Sequence, residues 1–365
     1  MADYYIGLMS GTSMDGIDAV LVNFFDSKIK IHKSLSFPYP DKLKRLLFDE
    51  IKKDFEIELD ASGVLDVWVG ECFRDAAIAL LEESSINSHE IRAIGSHGQT
   101  LRHQPNIEKP FSQQIGNAKI ISEGTGITTV NNFRKSDITA GGQGAPLVPA
   151  FHNWLFNKKN KNRVIVNIGG IANITIFSED KNKTIGFDTG PGNVLMDAWT
   201  RLNLKQDFDD SGKWSKKGKT IPRLINDFLD DPYFKLNPPK STGFEYFNLK
   251  WLQQFKPEKY EAADIQSSLC ELTAISITRA IKRYAPDTSE LFICGGGVHN
   301  CELMRRLKNE SFVTASTQSI GLDPDWVEAS AFAWLAMRAI NGEFGNLPSV
   351  TGASKYAVLG DVYIP

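Results

Sequence analysis

An α/β protein of two related lobes with a cleft between them is what this sequence predicts, on three observations. The chain has 365 residues, enough for two domains, and 42% of them are hydrophobic, enough for a packed core in each. It opens on a strand-turn-strand unit, Tyr4 to Val22, in which two β-favouring runs flank Gly11, Thr12, Ser13 and Gly16. A second unit of the same layout, Arg163 to Phe177, turns at Gly169-Gly170 about half a chain later.

The first turn offers backbone N–H and hydroxyl donors suited to an anion, and two such hairpins facing one another would clamp a polyphosphate. Gly11 and Gly16 have the spacing of a P-loop, but Ile17 and Asp18 follow where Lys and Ser or Thr are required. The run Ala19 to Phe24 also reads as strand, so the helix dipole of a P-loop is missing too. An ordinary hairpin is the alternative for either turn taken alone.

The apolar run Ile91 to Ile94 reads as a strand entering the polar stretch Gly95 to His103. His97 and His103 have no acidic third ligand at metal spacing, so hydrogen bonding to a polar substrate is expected in place of zinc, with a structural histidine as the alternative for each. The run Asn131 to Pro149 combines Arg134 with a glycine-rich crossing and reads as an inter-lobe connection that meets ligand. Arg134 would pair with a carboxylate or phosphate through two parallel hydrogen bonds, or serve as an ordinary surface arginine.

Asp188 stands at the end of the short strand from Ile185, just before Gly190-Pro191-Gly192. It either faces a cleft or caps a helix from Asn193 to Arg201. Residues 207–239, rich in Lys, Asp, Gly and Pro, predict an irregular or helical insertion bordering the cleft. Asp264 reads as the N-cap of a helix to about Tyr284 that carries Ile265, Leu269 and Leu272 on one face. Glu290 to Cys294 is an apolar strand running into Gly295-Gly296-Gly297, and a helical pattern follows from Cys301 to Leu307. Asn300 occupies the place of the third glycine of a dinucleotide motif, so the triple glycine instead suits close approach of a flat base or ribose. Val327 to Ile340 predicts a buried helix stopped by Asn341-Gly342, and the apolar end of the chain reads as a docked segment.

A formal net charge of −3 gives no basic field, which argues against nucleic acid as the main partner. Cys72, Cys270, Cys294 and Cys301 form no CxxC pair, which fits a reducing cytoplasm. No apolar run approaches the roughly 20 residues of a membrane span, and Asp3 argues against a basic signal-peptide start, so a cytoplasmic protein without membrane association is expected.

Six stretches, GLMSGTSMDGIDAV, GSHGQTLRH, NNFRKSDITAGGQGAPLVP, NIGGIANIT, GFDTGPGN and CGGGVHN, together resemble the bacterial anhydro-N-acetylmuramic acid kinase family, from residue 6 to about residue 340. The resemblance implies the sugar kinase, Hsp70 and actin superfamily: two RNase-H-like lobes with ATP in the cleft between them. It implies an N-terminal lobe of residues 1–130 plus about 345–365 and a C-terminal lobe of 131–344. Gly11, Thr12, Ser13, Met14, Asp15, Gly16, Ile17 and Asp18 would then form the first ATP phosphate hairpin, Gly169, Gly170 and Asn173 the second, and Gly295, Gly296, Gly297 and Asn300 the adenosine end. Asp188 would be the catalytic base, with His97, Arg134 and Glu328 as sugar contacts.

The implied cofactor is Mg2+ with ATP. Most members of the wider superfamily carry an aspartate two residues before the first hairpin glycine, whereas this chain has Met9 there, so the metal ligands stay unassigned. The implied reaction opens the 1,6-anhydro bridge of the sugar and phosphorylates O6, as a step in peptidoglycan recycling by a homodimer. Two alternatives remain open from the sequence: a conventional hexosamine kinase acting on a free hydroxyl, and an actin- or Hsp70-like conformational ATPase. A pure glycosidase would leave the phosphate hairpins unexplained and lacks an identifiable paired acid.

Overall fold

A computed structural model describes residues 3–11, 14, 16–52, 59–105, 107–158, 161–180, 183–308 and 312–365. Its strands are β1 (Tyr4–Ser10), β2 (Gly16–Phe25), β3 (Lys28–Pro38), β4 (Ile91–Gln104), β5 (Phe111–Ile115), β6 (Thr129–Asn131), β7 (Arg163–Ile168), β8 (Ile171–Ile176), β9 (Ile185–Pro191), β10 (Glu290–Cys294), β11 (Val313–Ser316) and β12 (Asp361–Tyr363). The chain divides into two compact units, Met1–Leu155 with Trp326–Pro365, and Phe156–Asp325.

Each unit repeats one plan. In the first, β1, β2 and β3 form an antiparallel meander, β4 joins β1 in parallel and β6 joins β4, giving the order β12-β6-β4-β1-β2-β3, with β5 on β4. In the second, β7, β8 and β9 make the meander, β10 adds in parallel to β7 and β11 to β10. A three-strand meander extended in parallel from its first strand is the RNase-H-like topology, so the expected α/β fold holds in both units. The strands next to the parallel junctions are buried along nearly their whole length, as expected where helices cover both faces of a sheet.

In the first unit one sheet face packs Ile6, Leu8 and Ile94 against Leu65, Val69, Phe73 and Leu80 of the helix Leu59–Glu82. The other face receives the helix Val327–Ile340, whose backbone sits directly on Gly7 and Gly95. In the second unit Ile265, Leu269 and Leu272 of the helix Ala262–Tyr284 join one core with Val164, Val166 and Ile174. That helix begins two residues ahead of Asp264, whose carboxylate accepts from the Lys219 N–H at 2.7 Å.

Residues 131–155 and 326–344, assigned from sequence to the C-terminal lobe, fall in the first unit. The reason is packing: β6 pairs with the C-terminal β12, Phe133 packs on Phe332 with ring centroids 5.6 Å apart, and the helix Val327–Ile340 lies on β1 and β4. The chain end is docked as expected, through the antiparallel pairing of β12. Residues 207–239 carry the short helices Lys213–Lys217, Pro222–Leu229 and Pro232–Lys235, with Leu224, Ile225 and Phe228 buried.

Candidate active site

The first hairpin begins where β1 ends. The Ser10 hydroxyl lies 2.8 Å from the Gly16 carbonyl and 2.7 Å from Gln99 Oε1, while Gln99 Nε2 donates to the Gly11 carbonyl at 3.2 Å. Two buried side chains from adjacent parallel strands therefore brace both ends of the turn. Among the described residues, a Cβ added at Gly11 would meet nothing within 4 Å. Thr12, Ser13 and Asp15, expected in the first phosphate hairpin, lie outside the described residues. Met14 and Ile17 point into the core at 3% and 0% exposure, and Asp18 Oδ1 accepts from Ser36 Oγ at 2.6 Å.

His97 and Arg134 meet within this unit. Arg134 Nε donates to His97 Nε2 at 3.0 Å, so the ring proton sits on Nδ1, which donates to the Gly98 carbonyl at 2.9 Å. Arg134 also donates to the Gly144 carbonyl at 3.0 Å, and His97 packs on Phe332 with centroids 4.6 Å apart. Burial, helped by the Arg134 charge, holds His97 well below the ordinary imidazole range, so it is a neutral positioner of the guanidinium. Glu328 lies half-buried in the first turn of the helix that carries Phe332.

Burial also pushes His103 and His152 down to about 3, with Arg134 contributing at His103. The unfolded chain would take up protons at these histidines near pH 6.5, and the folded chain only near pH 3. Stability from this source is therefore full above about pH 6.5 and is lost as the pH falls towards 3, by up to about 1.4 kcal/mol per pH unit for each group. Calorimetry should find a falling melting temperature between about pH 6.5 and 5, before most carboxylates titrate. A flat profile in that window contradicts the buried neutral assignment.

A residue that sequence reasoning passed over organises the glycine-rich run. Asp137 is fully buried; its Oδ2 accepts from the Gly144 N–H at 2.9 Å, and its Oδ1 from Thr351 Oγ1 at 2.8 Å and Asn346 Nδ2 at 3.1 Å. It thus fixes the loop whose Gly144 carbonyl receives Arg134. Two of its partners, Asn346 and Thr351, lie more than 200 residues away in sequence, where spacing gives no signal.

In the second unit the glycine turns converge at one end of the sheet. Gly192 and Val194 donate to the Gly170 carbonyl at 2.8 and 3.0 Å, and Asn193 to the Gly169 carbonyl at 2.9 Å, so the turn after β9 locks onto the hairpin between β7 and β8. β10 runs parallel to β7, with Cys294 opposite Asn167, which brings Gly295 beside that hairpin. Gly295 has φ +78°, and a Cβ there would stand 2.4 Å from Asn167 Oδ1, so only glycine fits the step. At Gly296 a Cβ would meet nothing within 4 Å, and at Gly169 only Ile171 O at 3.8 Å. Two neighbouring strand ends therefore present bare backbone, the kind of surface a nucleotide approaches closely. Asn173 Oδ1 is buried without a hydrogen-bond partner among the described residues. The Asn300 side chain is engaged locally: Oδ1 accepts from the Leu303 N–H at 3.0 Å, capping the helix Cys301–Lys308.

Asp188, 5% exposed, pairs with Asn173 across β8 and β9. A strap from Tyr233 to Thr242 holds it at backbone and side chain. Tyr233 Oη donates to the Asp188 carbonyl at 2.7 Å, the Asp188 N–H donates to the Lys240 carbonyl at 3.2 Å, and the Thr242 N–H donates to Asp188 Oδ2 at 2.9 Å. The following helix, Val194–Leu204, has Asn193 at its N-cap, so Asp188 is placed by the strap and not as that helix's cap residue. Tyr233, Lys240 and Thr242 were not readable as site residues, because nothing in a Lys- and Pro-rich stretch announces which strand it crosses. Among the described residues, no group of three His, Cys, Asp or Glu side chains could hold a metal ion, and Met9 is buried at 6% exposure.

The chain matches, over residues 3–365, the family model described as anhydro-N-acetylmuramic acid kinase. It is 48% identical over 363 residues to a protein of Coxiella burnetii with that name, covering 98% of this chain and 97% of the relative. A protein of the same name from Shewanella halifaxensis is 47% identical over 367 residues, covering 99% of this chain and 98% of that one. Among solved structures, the activator of the 2-hydroxyisocaproyl-CoA dehydratase from Clostridium difficile with bound ADPNP aligns over 93% of this chain and 96% of its own, at 12% identity and a TM-score of 0.47.

Proposed function

Because the chain belongs to the anhydro-N-acetylmuramic acid kinase family, and is thus a sugar phosphotransferase, we propose that it couples hydrolytic opening of the 1,6-anhydro bridge to ATP-dependent phosphorylation of O6. The observation that carries the chemistry is Asp188, a buried carboxylate braced at both its backbone and one oxygen, on the strand that runs into the Gly190-Pro191-Gly192 turn. In the anhydro sugar O6 is tied into the bridge and has no proton to lose, so the base has no hydroxyl to activate there.

Asp188 instead takes a proton from water as the water oxygen bonds to C1. The C1–O6 bond breaks with its electron pair passing to O6, and O6 then bonds to the γ-phosphorus as the bond to the β-phosphate bridge oxygen breaks. The products are N-acetylmuramic acid 6-phosphate and ADP. The open backbone at Gly169 and Gly296 supports a phosphate and adenosine role for the turns of the second unit. The neutral His97 holding Arg134 supports a fixed guanidinium for a polar or anionic group of the sugar.

Bound Mg2+ would neutralise charge on the phosphate oxygens; the described residues make no protein cage for it, which fits an ion that keeps its waters and binds through substrate phosphates. We place the reaction in cytoplasmic peptidoglycan recycling by a homodimer, following the family resemblance. Among the described residues no helix is long and apolar enough to cross a membrane.

The test is turnover of 1,6-anhydro-N-acetylmuramic acid with ATP and Mg2+ in ¹⁸O-labelled water, with mass spectrometry of the product before anomeric exchange. The expected product is a 6-phosphate with one ¹⁸O at C1. Phosphorylation of a free hexosamine with no product from the anhydro sugar would establish the conventional kinase reaction, and ATP consumption independent of sugar would point to a conformational ATPase.

A further inference from the structure

We propose that Lys240 is a positioning residue for Asp188: its buried ammonium anchors the strap from Tyr233 to Thr242 that holds the base at its backbone and at one carboxylate oxygen. This rests on the reading of Asp188 as the base. Lys240 is 7% exposed, which is rare for a lysine without a dedicated role. Its Nζ donates to the Tyr233 carbonyl at 3.2 Å and lies 4.3 Å from the centroid of the Tyr233 ring and 5.8 Å from that of Phe187. Phe187 immediately precedes Asp188, and the Lys240 carbonyl accepts the Asp188 N–H. The side chain therefore closes a loop of contacts: its head group grips Tyr233, its backbone grips Asp188, and Tyr233 Oη grips the Asp188 carbonyl.

Lys240 also lines a cavity of about 420 Å³ between the strap and the helix Ala262–Tyr284. The charged and titratable groups around it are Asp188 of β9, Asp230, Tyr233 and Lys235 on the strap side, and Arg279, Arg283 and Tyr284 of that helix. Burial pushes the ammonium down to about 8, the Arg283 charge acts in the same direction, and Asp188 opposes them. Asp188 is thus the anionic partner that favours the charged form. The attraction is mutual, so the charged lysine stabilises the ionised base. As the pH rises through about 8, Lys240 loses its proton, and both the grip on the Tyr233 carbonyl and the favourable charge interaction with Asp188 weaken with it.

The test is the pH profile of kcat for wild type, Lys240→Met, Lys240→Arg and Asp188→Asn, with KM for ATP recorded alongside. In Lys240→Met the acid limb, set by the base, should move up by about one pH unit, the low end of what an opposite charge near a carboxylate does. In Lys240→Arg the guanidinium stays charged, so the wild-type loss of turnover near pH 8 should disappear. KM for ATP should stay unchanged in both. An unmoved acid limb in Lys240→Met, or a persisting loss near pH 8 in Lys240→Arg, overturns the proposal. Should Lys240→Met fail to fold by circular dichroism, the arginine profile alone decides. An active Asp188→Asn enzyme would remove the base assignment itself; an inactive one with an unaltered Lys240→Arg profile would remove only the role of Lys240.

Discussion

Asp188→Asn is expected to lower turnover by about 10²- to 10⁴-fold, the usual contribution of a positioned base, while ATP still binds and the fold stays intact. The amide is nearly isosteric, and its carbonyl oxygen can still accept the Thr242 N–H that Asp188 Oδ2 accepts at 2.9 Å. The bonds from Tyr233 Oη and to the Lys240 carbonyl involve only the Asp188 main chain, so they survive the change. What is lost is the capacity to take a proton from water. Nucleotide binding should be spared, because the bare backbone at Gly169 and Gly296 is untouched. Steady-state kcat with the anhydro sugar, calorimetric titration with a nonhydrolysable ATP analogue and circular dichroism together decide the point. A folded variant with near-normal turnover would sink the base assignment.

How much of this was legible in the sequence depends on how local the signal was. The glycine hairpins, the strand entering Gly295 and the helix Val327–Ile340 are written in contiguous periodicity and turn chemistry, and each is present in the structure. Asp188 was visible because strand, carboxylate and turn sit together in seven residues of β9. The lobe boundary was not, because Gly7 and Gly95 read as ordinary strand glycines until the helix that lies on them is known. Asp137 and Lys240 were missed for the same reason. A buried acid that receives three neutral donors, two of them from the chain's far end, looks in sequence like one more surface charge. Lys240 likewise follows a Pro-Pro pair in a stretch where most lysines are solvated.

Gly95→Ala should destabilise the first unit by about 3 kcal/mol or more, at or beyond the upper end of the usual cost of overpacking a core. Gly95 and Gly7 are register neighbours on the parallel strands β4 and β1, and together they form a slot for the backbone of the helix Val327–Ile340. A Cβ at Gly95 would lie 2.0 Å from the Phe332 carbonyl oxygen and 2.6 Å from its carbon, and one at Gly7 would lie 1.9 Å from the Ala329 carbonyl oxygen. Backbone cannot swing aside as a side chain can, so the whole helix must lift. Lifting it separates Phe332 from His97 and Phe133, which links this packing to the guanidinium held by His97. Gly63→Ala makes the same chemical change on the exposed face of the helix Leu59–Glu82, where a Cβ would meet nothing within 4 Å. There the lost backbone freedom of the unfolded chain should raise stability by about 0.5–1 kcal/mol. Urea unfolding of both variants measures the contrast directly: opposite signs are expected for one added methyl group, and a Gly95→Ala midpoint equal to wild type would show that the helix does not rest on these two strands.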